Sequence, residues 1–228
     1  MRLGEFIMKR TITLAALAIG GGLSAQAAQA QLAVGGSIGT TGGSVDVQTQ
    51  ISPMFQLRGG YNYFQYGVDD TFDDIAYDGD LDLTTLGAFV DFRPFSNSFI
   101  LTAGAYFGEK TLKLNAAPTQ NVEIGNQTYT PAQVGNLNMT ADLEDTAPFV
   151  GLGWDSTFQG SGPGIGFKFI VGAMFTGSPE VNLTASGGTL SNDANFQQQL
   201  ATEEQNLQDD IDDYEIYPVV QAGLTFGF

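Results

Sequence analysis

The chain of 228 residues contains no cysteine and no histidine, and it is poor in positive charge, with 8 basic against 25 acidic residues and a net charge of −17. Each shortage excludes something. Without cysteine there is no disulfide framework and no thiol nucleophile. Without histidine there is no Ser-His-Asp triad, no histidine-assisted acyl transfer and no His-ligated zinc site. Carboxylate-only catalysis would need a distinct Asp/Glu pair, and none stands out from the acidic background, so no enzymatic activity and no cofactor is expected. So few Lys and Arg exclude nucleic acid as a partner.

Long apolar runs are also missing beyond the N-terminus. Lys9 and Arg10 precede a largely apolar stretch from Thr11 to Leu23, followed by Ala25-Gln26-Ala27 and Ala28-Gln29-Ala30. This is the layout of an export signal with small-residue cleavage sites, and cleavage after Ala30 is expected, with Met8 a plausible natural start. A membrane-anchor helix is the alternative, but Gly20-Gly21-Gly22 interrupts the ~20 apolar residues it requires. The expected organisation is a signal peptide over 1–30 and one domain over 31–228. The signal holds three basic residues and one acidic, so 5 basic and 24 acidic residues follow it, net −19. Past Ala30 no stretch approaches 18 continuous apolar residues, so no membrane helix is expected.

What is present is alternation. In the last fifteen residues the even positions from Tyr214 to Phe228 are all apolar, while the odd ones are mostly small or polar. A period of two is the mark of a strand with one apolar face. The same pattern recurs over 55–63, 85–92, 99–108, 148–154 and 165–176. Several apolar faces end in an aromatic residue near a short turn (Phe55, Phe92, Phe99, Trp154, Phe167, Phe226, Phe228), as in an interfacial girdle.

Periodicity alone does not separate a soluble sandwich from a membrane barrel; loop lengths do. Short turns are expected at Ser52-Pro53, Pro94 to Ser98 and about Phe158 to Gly164. Long connections are expected at about Asp69 to Asp78, Ala116 to Leu137 and Ala185 to Asp213. Short periplasmic turns opposite long external loops characterise outer-membrane barrels. Six strands after Pro53 become eight if Gln31 to Ile51 forms two. A hairpin at Thr41-Gly42 pairing Ile38 with Val45 provides that, with a single bulged strand as the alternative. The fold expected is all-β, an eight-stranded antiparallel transmembrane barrel. One acidic helix, capped at Ser191, Asn192 or Asp193 with Phe196, Leu200, Leu207 and Ile211 on one side, falls in the last external loop.

The alternation assigns Gln56, Arg58, Asn62, Asp91, Tyr106, Lys110, Lys168, Glu215 and Gln221 to the lumen. Arg58 and Lys168 then need carboxylate partners, for which Asp91 and Glu215 are the candidates. An eight-stranded barrel is about wide enough to be filled by side chains, which favours a plugged interior over an open pore. The acidic run with Asp73, Asp74, Asp78 and Asp80 has the chemistry to hold a divalent cation, but lacks EF-hand spacing. It reads more simply as a solvated outer loop, with no metal site expected. With the acidic helix it gives the outer mouth a negative potential that favours cationic or zwitterionic solutes.

Gly39-Thr40-Thr41-Gly42, Arg58-Gly59-Gly60-Tyr61-Asn62, Tyr77-Asp78-Gly79-Asp80-Leu81, Ala147-Pro148-Phe149-Val150-Gly151-Leu152-Gly153-Trp154, Phe175-Thr176-Gly177-Ser178-Pro179-Glu180-Val181 and Tyr217-Pro218-Val219 follow one another in the chain. In this order they resemble the small outer-membrane barrels of the CarO type. The ending, with Gly223, Phe226 and Phe228, is similar to the C-terminal signal read by the barrel-assembly machinery. The resemblance implies an eight-stranded barrel in the bacterial outer membrane, among lipid and lipopolysaccharide, and a disputed role in passive uptake of small amino acids, basic ones included. The last long loop is more acidic than the resemblance leads one to expect, so the family's substrate preference is not carried over. Two functions therefore stay open: a channel for small cationic or zwitterionic solutes, and a closed structural or surface-interaction barrel whose acidic loops bind divalent cations.

Overall fold

A computed structural model describes the backbone of residues 31–72, 75–160, 162–211 and 215–228, and their side chains outside 68–77. The export signal expected over 1–30 lies outside the described residues. In chain order the elements are β1 (Gln31–Gly39), β2 (Gly42–Ser52), β3 (Phe55–Phe72), β4 (Ile75–Phe92), β5 (Phe99–Phe107), β6 (Lys110–Ala117), β7 (Val122–Ile124), β8 (Gln127–Tyr129), α1 (Pro131–Val134), β9 (Gly135–Asp142), β10 (Thr146–Asp155), β11 (Gly164–Phe175), β12 (Glu180–Gly187), α2 (Ala194–Ile211) and β13 (Ile216–Gly227).

Eight antiparallel strands close on themselves in the order β1-β2-β3-β4-β5-β10-β11-β13, and β13 pairs back onto β1. Closure leaves no strand edge within the ring, the condition for crossing lipid with strands. The stagger is fixed by register. Following partners from Ala33 through Gln48, Arg58, Phe89, Gly104, Phe149 and Met174 leads to Tyr217, whereas Ala33 itself faces Gly227. That is a shear of ten residues (227 − 217), which tilts the strands by about 40°.

The wall is apolar outward. Leu32, Val47, Leu57, Val90, Leu101, Leu152, Val171 and Leu224 are all exposed on it. Phe55, Trp154, Phe167, Phe226 and Phe228 are exposed near the short-turn end. Phe92 and Phe99 lie half-buried at the same level, in register with Phe55 and Trp154.

At the other end five strands run on. The upper halves of β3 and β4 continue into a sheet with β6, β9 and β12 in the order β3-β4-β6-β9-β12. We call this extension the platform. α2 lies against β12, and the small β7–β8 hairpin contacts α2. The helix begins where the Asp193 carboxylate accepts the N–H groups of Asn195 and Phe196 (2.9 and 3.1 Å), an N-cap at one of the three positions expected.

Two sequence expectations need correction here. The first hairpin turns at Thr40-Thr41, with Gly39 facing Gly42 and Ile38 facing Gly43, two residues out of the expected register. Thr40 and Thr41 keep negative φ while Gly42 takes φ +83, a turn closed by a left-handed glycine. A Cβ on Gly42 would come within 2.3 Å of the Tyr63 carbonyl oxygen. The slip of two preserves the face, so Ile38 and Val45 still point outward. The second correction concerns 69–78, expected as a loop: β3 runs to Phe72 and β4 restarts at Ile75, with Asp69 opposite Asp78. The polar composition reads as loop, but β6 pairs with β4 from Ala76 onward, and that ladder overrides local preference.

Candidate functional site: the barrel lumen and the outer platform

The lumen is built by parity. On each wall strand the residues between the outward-facing ones point inward, and the inward set divides into a polar layer and an aromatic one. In the polar layer Arg58 Nε meets Asp91 Oδ2 at 3.1 Å, with a second bond from Arg58 Nη2 to Asp91 Oδ1 at 3.3 Å. Lys168 Nζ donates to Asp46. Arg93 Nη2 lies 3.7 Å from Asp155 Oδ2 and donates to Gln56 Oε1 at 2.7 Å. Gln56 also donates to Gln48, Asp91 and Asp155 (3.0–3.1 Å). Each buried carboxylate is thus held by a cation, an amide or a hydroxyl rather than by a second carboxylate. That arrangement offers no carboxylate pair sharing a proton for acid–base work.

The aromatic layer is made by Phe89, Tyr106 and Phe149, packed edge to face with centroids 5.0–5.6 Å apart. Ile100, Ile170, Met174 and Val219 complete it. Inward glycines make room for the rings. A Cβ on Gly87 would sit 2.4 Å from the Phe89 ring, and one on Gly172 would sit 2.6 Å from Phe149. Arg58 ties the layers together, its guanidinium 4.1 Å from the Phe89 ring centroid.

Among the residues assigned to the lumen from sequence, Gln56, Arg58, Asn62, Asp91, Tyr106, Lys168 and Gln221 are buried inside the ring. Gln221 Nε2 donates to Thr41 Oγ1 at 2.6 Å and to Asn62 Oδ1 at 3.4 Å. Lys110 is buried higher, at the mouth, where Nζ donates to the carbonyls of Gly108 and Asp145 (2.8 and 3.1 Å). Burial lowers its pKa from the usual lysine value, opposed by nearby Asp145 and Glu144. Glu215 is the exception. It is exposed just before β13, where its carboxylate accepts from Ser178 Oγ at 3.4 Å, and Asp46 is the partner of Lys168 in its place. Alternation does not extend to Glu215 because the residue precedes the strand.

Sequence reasoning missed Asp46, Gln48, Arg93 and Asp155, all buried. The signal was there. Asp46 and Gln48 alternate with Val45 and Val47, Arg93 follows Asp91 by two, and Asp155 shares the parity of Phe149. Of the weak metal candidates, Asp73 and Asp74 lie outside the described residues. Asp78 is exposed and Asp80 half-buried, alternating with Gly79 and Leu81, and Asp80 faces Lys113 across the ladder. The described acidic positions are therefore one solvated strand face. No group of three or more carboxylates able to hold a metal gathers among the described residues.

The platform has the opposite polarity from the barrel. Leu112, Leu114, Ala116, Leu137, Met139, Ala141, Val181, Leu183 and Ala185 share one face by register. Phe196, Leu200, Ile124, Tyr129 and Val134 form a buried cluster against part of it. β12 is the outer strand of this sheet, and α2 satisfies its edge: Gln208 Oε1 accepts from Val181 N–H and Glu204 Oε2 from Leu183 N–H (2.9 and 2.8 Å).

No family model matches the chain, and no curated protein matches it. Solved structures do match. A crystal structure of Acinetobacter baumannii CarO2 aligns with a TM-score of 0.58 at 24% identity, covering 87% of this chain and 99% of that one. A crystal structure of Acinetobacter baumannii CarO aligns with a TM-score of 0.57 at 24% identity, covering 87% and 98%. The fold is that of the CarO-type barrel. The CarO likeness spans more of the chain than the eight wall strands alone occupy, so it takes in part of the outer region as well.

Proposed function

We propose that this protein is a bacterial outer-membrane barrel with a closed lumen, exported by the segment 1–30, which anchors the platform as a surface-interaction element. The observation that supports this best is the exclusion of solvent from the lumen: Gln48, Gln56, Asp91, Arg93 and Asp155 are 0% exposed and Lys168, Tyr106 and Phe149 1%. A water-filled passage would wet the side chains that line it. Uptake of small cationic or zwitterionic solutes, amino acids included, would require the ion pairs and the three stacked rings to open. Outer-membrane residence is supported by the closed ring and its exposed apolar wall, since such a wall in water would be an aggregation surface.

Conductance separates the two readings. The purified full chain in planar bilayers should give no stepwise openings, and liposomes containing it should not swell in glycine or lysine. Regular single-channel steps from the unmodified protein would refute a closed lumen. The C-terminus is read as the contact for the barrel-assembly machinery. Phe226 and Phe228 pack edge to face at 5.1 Å on the lipid side, and Phe228 N–H donates to the Leu32 carbonyl at 2.8 Å. Deleting Phe228 should lower the heat-modifiable, folded fraction in cells at equal synthesis; an unchanged fraction would argue against that role.

A further inference from the structure

α2 covers only part of the apolar platform face. Between the sheet, the C-terminal half of α2 and the β7–β8 hairpin lies a cavity of about 390 Å³, within the ~300–1,000 Å³ of small-molecule sites. Leu114, Leu137, Met139, Leu183 and Leu207 form its walls, and Glu123 and Glu203 are its charged members. None of the described lining residues is basic.

The walls are held in place from both sides. Glu204 and Gln208 fasten the helix to β12. Glu203 Oε2 accepts from Gly125 N–H at 2.8 Å and Gln199 Oε1 from Asn126 N–H at 2.9 Å, fastening it to the hairpin. The Glu203 carboxylate is thereby fixed at the rim of an apolar chamber. The surroundings reinforce its sign, because four of the five basic residues after residue 30 (Arg58, Arg93, Lys110, Lys168) are buried away from the surface.

We propose that this cavity binds an amphipathic organic cation, its apolar body against Leu114, Met139 and Leu183 and its ammonium group beside Glu203 and Glu123. Apolar walls supply the gain from burial, and the fixed carboxylate selects the charge. An acyl chain or an anionic amphiphile fits the walls but not the rim. The proposal deepens the surface-interaction reading and rests on it, yet it involves no lumen residue, so ligand binding and conductance can fail independently.

Three probes with one apolar body test it: naphthylmethylammonium, naphthylmethanol and naphthylacetate. Each is titrated by calorimetry into the full chain in nanodiscs of zwitterionic lipid, with empty discs as the reference. The ammonium probe should bind saturably at one site, the neutral alcohol about ten-fold more weakly, and the carboxylate more weakly still. Glu203→Gln keeps the acceptor for Gly125 N–H; combined with Glu123→Gln it should bring the ammonium probe close to the alcohol and leave the alcohol unchanged. Met139→Trp should fill the chamber and abolish both. Equal binding of all three probes, ammonium binding untouched by the double variant, or no saturable binding beyond empty discs would overturn the proposal. Should Met139→Trp reduce the heat-modifiable fraction, the probe series on the unmodified protein decides alone.

Discussion

The barrel and the platform share strand β4, yet they turn opposite kinds of surface outward. In the membrane half its even residues Leu86 and Val90 are exposed on the wall, while the odd Asp91 is fully buried. In the upper half the odd residue Leu83 is buried, and the even Asp78 faces solvent. No bulge intervenes, since β4 stays in continuous register with β3 from Ile75 to Phe92. The backbone direction is unchanged; what changes is the solvent outside. In the proposed outer-membrane setting lipid accepts leucine and rejects carboxylate, and water does the reverse, which accounts for one straight strand changing its outward face from apolar to polar. The same switch occurs between β5 and β6, where outward Leu101 and Phe107 give way to outward Lys113 and Asn115.

The largest effect should come from breaking the polar layer that only the barrel contains. Arg58→Ala leaves Asp91 buried without its cation, a loss of ~3–5 kcal/mol for a buried pair deprived of one partner. Urea titration followed by heat-modifiable mobility should show it. Replacing both members together, Arg58→Met with Asp91→Leu, should recover most of the loss. If the single and double variants are equally destabilised, the pair is not what holds the layer.

A smaller effect should sharpen the border. Val90→Lys places a charge on the lipid face and should cost ~2–4 kcal/mol near mid-depth. Asn115→Lys places the same charge outward on the platform and should cost almost nothing. Comparable losses for the two would mean that the platform is not surrounded by water. The smallest expected change is at the platform edge. Gln208→Ala removes an acceptor from Val181 N–H, worth ~1 kcal/mol, and should speed proteolysis of α2 while the barrel's heat-modifiable fraction stays constant. If the barrel loosened too, the two regions would form one cooperative unit.

Much of the lumen is written in the chain by parity. Arg58, Asp91 and Lys168 point inward because their neighbours are wall residues, and Arg93, Asp46 and Asp155 obey the same rule. Partner choice is another matter. Lys168 lies on β11 and Asp46 on β2, with β13 and β1 between them in the ring, and they meet across the interior. Only the ten-residue shear brings them to one height. The chemistry expected of Glu215 failed for a related reason: it precedes β13 at the mouth, where its carbonyl accepts from Thr176 N–H at 2.8 Å and its carboxylate meets Ser178 instead of a lumen cation.

The sequence by itself determined that strands of period two would form a barrel, which side of each would face outward, and that an acidic helix would lie outside the last strands. Side-chain alternation is a local property and survives any register. The tertiary structure alone decided which charges pair, that three aromatic rings from different strands pack in the lumen over inward glycines, and that 69–72 and 75–78 extend as strand rather than loop. Those outcomes depend on stagger and on contacts between residues far apart in the chain, and nothing local in the amino-acid order specifies them.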